Sequence, residues 1–169
     1  MFIENTQIYL DENFLTEEEL AFFDKVIEDN SDLIDSFDEN TTYKAIKTNK
    51  KSVSKKISYR IQNILLQTYP DKAISRMYPR NELELLGPGD EITEHNDAEG
   101  QNIIFGAFVY ISDENSYVGG ELNFPRLELE VKPKRGSLVI VPRENDYTHN
   151  VNKVESGNRF VLVTLAAGE

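Results

Sequence analysis

The sequence predicts a mainly β protein with flanking helices, an α+β chain whose helices come first. Three observations carry that prediction. Helical periodicity is confined to residues 1–70, while from Glu82 onward short apolar or alternating runs recur between Gly-, Pro- and Asn-rich turns. The run IIFGAFVYI, Ile103 to Ile111, is apolar on both faces, as a centrally placed strand must be. Seven or eight short strands of this kind imply a closed or two-sheet antiparallel architecture, with the helices against one outer face. At 169 residues the chain is one domain's worth, 1–169, with a mostly helical support region over 1–80 and a β core over 81–169.

Each element has a local reason. Thr16 followed by Glu19 is a capping-box pattern ahead of Leu20, Phe23 and Ile27, which share a helical face, and this helix ends near Asn30. Val53, Ile57, Ile61, Ile64 and Leu65 recur at helical spacing over Ser52 to Tyr69, and Pro70 stops them. Glu82–Leu86 and Glu91–His95 flank the turn Gly87-Pro88-Gly89-Asp90. After the Ile103 run come Glu121–Phe124 and Leu127–Val131, the latter alternating Leu127, Leu129 and Val131 with Glu128 and Glu130. Ser137–Val141, the short His149–Val151 and Arg159–Leu165 complete the set.

Composition narrows the function. Eighteen basic against thirty acidic residues give a net charge of −12, which argues against nucleic-acid or anionic-membrane partners. The charge is unevenly spread: residues 1–40 carry −12, residues 41–80 carry +9 and the remainder −9. The basic stretch Lys44 to Arg60 either neutralises the acidic amino-terminal segment, lies as a solvated face, or docks an acidic partner. No apolar run is long enough to cross a membrane, and MFIENTQIYL lacks the basic and apolar regions of a signal peptide, so a cytoplasmic location is expected. Cysteine is absent, which removes disulfides, thiolate metal sites and a cysteine nucleophile together.

Only two histidines exist, so a histidine-based site can be named in advance. His95 and Asp97 stand at i and i+2, a spacing that on a strand sends both side chains to one face. His149 follows at the start of a later strand. Two histidines and one carboxylate form a facial triad that leaves positions open on iron(II), and the same ligands also accept manganese or zinc. The alternative is that both histidines are ordinary polar residues at strand ends. Arg159 shares strand parity with Val161, Val163 and Leu165, and an arginine facing an apolar interior needs an anionic partner. Its guanidinium would pair a carboxylate in bidentate fashion. Parity alone also allows it to lie at a strand edge facing water.

In order along the chain, Gly89, His95-x-Asp97, Tyr110-Ile111, G-G-E-L-x-F-P from Gly119, P-x-x-G-S-L from Pro133 and H-x-V-x-x-V-x-x-G-x-R from His149 to Arg159 resemble the iron(II)- and 2-oxoglutarate-dependent dioxygenases. The resemblance is to the prolyl 4-hydroxylase-like branch and covers about residues 83–166. It implies a double-stranded β-helix, or jelly roll, with amino-terminal supporting helices. It implies that His95, Asp97 and His149 ligate Fe(II), and that Arg159 binds the distal carboxylate of 2-oxoglutarate, where many prolyl hydroxylases use lysine.

The reaction implied is hydroxylation of an aliphatic C–H, foremost a prolyl residue in a peptide or protein. It consumes O2 and decarboxylates 2-oxoglutarate to succinate and CO2, with ascorbate as an expected reductant. Related halogenating enzymes carry a small residue at the position of Asp97, so its carboxylate favours hydroxylation. The family often has tyrosine nine and three residues before the first ligand; here these positions are Leu86 and Ile92. Tyr110 and Thr164 are the residues whose type could take over co-substrate binding. The loops Ala98–Asn102, Ser112–Gly120 and Arg143–Thr148 are expected to rim the mouth and select the substrate. Two other classes remain open: a cupin-like metal-dependent isomerase or hydrolase that needs no 2-oxoglutarate, and a catalytically silent β-helix that binds a partner.

Overall fold

Thr16 opens the first long helix through a reciprocal cap: its hydroxyl accepts from the Glu19 amide at 3.2 Å, and the Glu19 carboxylate accepts from the Thr16 amide at 3.0 Å. The computed structural model describes residues 1–97 and 102–169. Its elements begin with β1 (Tyr9–Asp11), α1 (Glu17–Asp29), α2 (Ser31–Ser36), β2 (Ala45–Lys47), α3 (Lys51–Thr68) and β3 (Ile74–Leu86). They continue with β4 (Ile92–His95), β5 (Ile103–Tyr110), β6 (Val118–Gly119), β7 (Leu122–Phe124) and β8 (Leu129–Val131). The last are β9 (Leu138–Pro142), β10 (His149–Val151), β11 (Val154–Ser156) and β12 (Arg159–Gly168).

Antiparallel pairing builds a six-stranded sheet in the order β1-β9-β5-β12-β3-β2 and a four-stranded sheet in the order β4-β10-β7-β8. The helices lie against one face of the larger sheet and the smaller sheet faces the other, the jelly-roll arrangement with amino-terminal supporting helices. Two apolar clusters follow from this layering. Phe23, Ile57, Ile61 and Leu65 of the helices meet Leu83, Phe105, Val109, Leu138 and Leu162 on the helix side. Leu122, Phe124, Val139, Val141, Val151, Val161 and Val163 fill the space between the sheets. Strand β12 serves both, its even residues turned to the helices and its odd residues to the second sheet.

The structure departs from the expected boundaries in several places. The segment 1–80 is not helical support alone, because β1, β2 and half of β3 join the larger sheet. Strand β3 begins at Ile74 rather than Glu82, and a register shift opposite Leu162 and Thr164 absorbs the extra residues near Pro79. Residues 125–127, of which Leu127 was expected to start a strand, form a 3₁₀ turn that ends at Glu128 with φ of 50°.

Candidate metal centre

Strand pairing brings the two histidines together. In the β4–β10 ladder His95 and His149 are direct cross-strand partners, so two residues far apart in sequence hold their rings 4.7 Å apart, centroid to centroid. Asp97 lies two residues beyond His95 and reaches over β5. One donor atom from each of His95, Asp97 and His149 falls within 4.8 Å of the others, and His149 Nε2 stands 3.8 Å from Asp97 Oδ1. The carboxylate fits only because position 106 is glycine. A Cβ built there would stand 2.2 Å from Asp97 Oδ2.

Hydrogen bonding fixes which nitrogens are free. Nδ1 of His95 donates to the Thr93 carbonyl at 2.8 Å, and Nδ1 of His149 donates to the Tyr147 carbonyl at 3.0 Å. Each ring is therefore held in the tautomer whose Nε2 carries the lone pair, the arrangement that metal-ligating histidines adopt. His149 Nε2 and Asp97 Oδ2 are both buried without a hydrogen-bond partner. A buried imidazole nitrogen without a partner, 3.8 Å from the Oδ1 of a buried carboxylate, would be costly with nothing between them, and a divalent cation satisfies both groups. Burial pushes the Asp97 carboxyl above its ordinary value despite the two imidazoles and Arg80 and Arg143. Burial likewise holds His149 below the usual histidine value, against the opposing pull of Asp97. The donor set, nitrogen and oxygen without sulfur, suits iron(II).

These groups open into a cavity of about 300 Å³ between the sheets, whose lining includes Phe108, Tyr110, Leu122, Arg159, Val161 and Val163. Arg159 is 3% exposed, and its Nη2 donates to the Tyr110 hydroxyl at 3.1 Å, while its Nε has no partner. Among the described residues no carboxylate pairs with it. A buried guanidinium with a spare donor and no counter-charge can receive an anion from outside the chain. Burial raises the Tyr110 phenol above its ordinary value, with Arg159 opposing, so the hydroxyl keeps its proton. Gly120, at φ of 70°, makes room here: a Cβ on it would lie 3.0 Å from Arg159 Cδ.

The structure thus gathers His95, Asp97, His149, Tyr110 and Arg159 around one cavity. Thr164 is not brought in. It lies on β12 with the parity of Phe160, Leu162 and Ala166, whose side chains pack toward the helices, so its buried hydroxyl does not line the cavity. Of the two positions that lack tyrosine, Ile92 lines the cavity and Leu86 is packed in the apolar cluster between the sheets. Three polar lining residues escaped the sequence reading: Arg80, Glu84 and Asn96. The first two project from β3, where alternation of Glu with Leu looks like an ordinary wet strand face. The loop over residues 98–102 lies, apart from Asn102, outside the described residues, and no residue of Ser112–Gly120 or Arg143–Thr148 lines this cavity.

With fold and site in view, comparison assigns the class. The sequence model of the 2OG-Fe(II) oxygenase superfamily matches residues 81–165, and the chain belongs to that family: it is a dioxygenase enzyme. No curated protein sequence matches the chain. Among solved structures, it is similar to the viral collagen prolyl hydroxylase of Paramecium Bursaria Chlorella virus-1 in its 2OG complex, with a TM-score of 0.72 at 19% identity, covering 98% of each chain. A Pseudomonas putida prolyl-4-hydroxylase superposes with a TM-score of 0.72 at 13% identity over 98% of this chain and 94% of that one. A Trichoplax adhaerens prolyl hydroxylase, solved with a hypoxia inducible factor oxygen degradation domain peptide, gives 0.67 at 12% identity over 96% of this chain and 84% of the other. At these identities the likeness is one of fold.

Proposed function

We propose that the chain, acting as one domain, hydroxylates a prolyl residue of a peptide or protein, with His95, Asp97 and His149 holding iron(II) and Arg159 receiving 2-oxoglutarate. The observation that carries the reading is a buried, partnerless Asp97 oxygen and His149 nitrogen opening into the same cavity as a buried, uncompensated Arg159. When bound, iron(II) and 2-oxoglutarate supply the activation of O2 that inserts one oxygen into the substrate and releases succinate and CO2.

The chain's own residues do the positioning. The carbonyls of Thr93 and Tyr147 keep both Nε2 lone pairs aimed at the metal position. Arg159 and Tyr110 offer adjacent donors for the far carboxylate, fixing the orientation of the co-substrate before any oxidant forms. Val161, Val163, Leu122 and Phe108 exclude water from the space between. Arg80, Glu84 and Asn96 give the cavity its remaining polar surface, where substrate is recognised. Solved relatives are prolyl hydroxylases, one with a peptide, which supports a peptidyl substrate. Among the described residues no helix is long and apolar enough to cross a membrane. A cytoplasmic protein substrate is the reading we adopt, in keeping with the chain's net charge of −12. Ascorbate is proposed as the reductant that restores iron(II). A cupin-like reaction without 2-oxoglutarate leaves the buried Arg159 with no role.

Anaerobic titration of the metal-free protein with iron(II) and 2-oxoglutarate tests this, watched for the weak visible charge-transfer band of a chelated 2-oxoacid. A saturable band, lost in Asp97→Ala and displaced to higher 2-oxoglutarate in Arg159→Ala, is expected. Iron binding without a band would overturn the co-substrate assignment. Proline-containing peptides then provide the substrate test, read as hydroxyproline formed with stoichiometric succinate.

A further inference from the structure

A second cavity, about 440 Å³, lies away from the metal centre in the groove between α3 and the outer edge of β3. Its lining is one-sided in charge. Lys51 and Lys55 come from the helix and Arg76 from the strand, with no carboxylate among the lining residues, in a chain whose net charge is −12. None of the three cations makes an ion pair among the described residues. By contrast, the two ends of the basic segment are neutralised internally: Lys44 pairs with Asp90 at 2.8 Å and Arg60 with Glu19 at 2.6 Å. Of the segment's five remaining lysines, Lys51 and Lys55 line this groove, and Arg76 joins them from the strand.

The groove also has an open hydrogen-bonding edge. Strand β3 pairs with β12 along its length, but on its other side β2 covers only Glu82, Leu83 and Glu84. Thr48 adds a bond to the Asn81 carbonyl. From Ile74 to Arg80 no strand among the described residues lies on the outer side, and none of these residues is buried. An accessible strand edge is a template for a further strand, and lysines beside it normally deter pairing with an edge of like charge. An acidic strand would meet attraction instead. Dimensions agree: Ser75 to Asn81 spans about 20 Å of strand, and Lys51 to Gln62 about 17 Å of helix. Tyr59, an exposed aromatic ring beside Lys55, gives the groove an apolar contact at its wall.

We propose that this groove docks an extended acidic peptide segment of a partner protein, which adds to the edge of β3 as a strand while its carboxylates pair with Lys51, Lys55 and Arg76. The site is separate from the metal centre, although β3 also carries Arg80 and Glu84 into the wall of the catalytic cavity. A partner anchored here is therefore held on the strand that forms the cavity wall. Docking does not depend on iron or on turnover, so it stands or fails apart from the proposed reaction.

The probe is a fluorescein-labelled ten-residue peptide of alternating Glu and Val, followed by fluorescence anisotropy on the full metal-free chain. Saturable binding that weakens with added salt is expected, and the Lys-Val counterpart should not bind. Lys51→Glu with Lys55→Glu should weaken binding at least tenfold, whereas Lys72→Glu with Lys153→Glu, the same charge change elsewhere, should alter it less than threefold. Unchanged melting temperatures establish that all four lysines are replaced without unfolding. Methylating alternate backbone nitrogens of the peptide removes strand-forming donors but no charge, and should also cost at least tenfold. Equal binding of the methylated peptide, or equally tight binding of a single-stranded DNA of the same charge, would overturn strand addition. Absence of saturable binding, or no response to the groove lysines, would overturn the site.

Discussion

Replacing Gly106 with alanine adds one methyl group, and its effect can be worked out from the contact it creates. The new Cβ would lie 2.2 Å from Asp97 Oδ2 and 2.9 Å from Cγ. To reach ordinary van der Waals contact at 3.4 Å the carboxylate oxygen must retreat by about 1 Å. Metal sites tolerate only about 0.2 Å of error in ligand position, so the displaced carboxylate is functionally withdrawn. A ten- to hundredfold loss of iron(II) affinity is expected, roughly the cost of misplacing one ligand. The fold should survive. Overpacking costs about 1–3 kcal/mol, and removing a strand glycine returns about 0.5–1 kcal/mol. Anaerobic iron(II) titration by calorimetry, with the melting temperature of the metal-free protein alongside, measures both. Ala107→Gly is the control, because it lies on the same strand but faces the helices and should bind iron normally. A folded Gly106→Ala protein with undiminished iron affinity would refute the placement of Asp97 as a ligand held against this strand.

Three further outcomes are expected. Arg159→Lys should raise the 2-oxoglutarate needed for half-saturation about tenfold and Arg159→Ala about a hundredfold or more, with iron affinity unchanged in both, because a lysine keeps the charge but loses the paired donors; co-substrate titration of iron-loaded protein reads this. Asp97→Asn should abolish iron binding yet leave the metal-free protein more stable by about 1 kcal/mol or more, since it removes a buried carboxylate without a counter-charge bond; thermal melts without metal check it. Burial raises the Glu19 carboxyl, but hydrogen bonds from Arg60 and the Thr16 amide outweigh it and hold the group below the usual carboxylate range. Its contribution is therefore present above the usual value of 4.5 and is lost as pH falls through the depressed one. Glu19→Gln should cost about 1–3 kcal/mol at neutral pH and flatten the acid limb of a denaturant-derived stability profile.

Much of the fold was legible because burial leaves a periodic trace. The capping box at Thr16, the apolar stripe of α3 and the run from Ile103 each encode a face that must be covered, and each formed as expected. The beginning of β3 was hidden because Arg76, Pro79, Arg80 and Asn81 oppose a buried strand by type, and an open edge tolerates all four. Three-residue strands such as β1 and β2 carry too few side chains to show a period. At the site, scarcity made the histidines conspicuous, while parity grouped Arg159 with Val161, Val163 and Leu165 but left open whether it faced the interior or water. The same parity places Thr164 on the opposite face, where residue type alone had suggested a binding role. Gly106 was invisible inside an apolar run, because what distinguishes it is the absence of a side chain against a carboxylate from a distant segment.

The cross-strand pairing of His95 with His149 makes assembly self-verifying. Side chains alternate along a strand, so a slip of one residue between β4 and β10 would send one histidine to the outside and destroy the convergence. Under the ligand set we propose, a chain folded with the wrong strand alignment would be unable to hold the ion by these three groups, while a correctly aligned one would gain stability from holding it. On that proposal, metal occupancy of a preparation would count the molecules that reached the right alignment, and iron supplied during refolding would draw the population toward it.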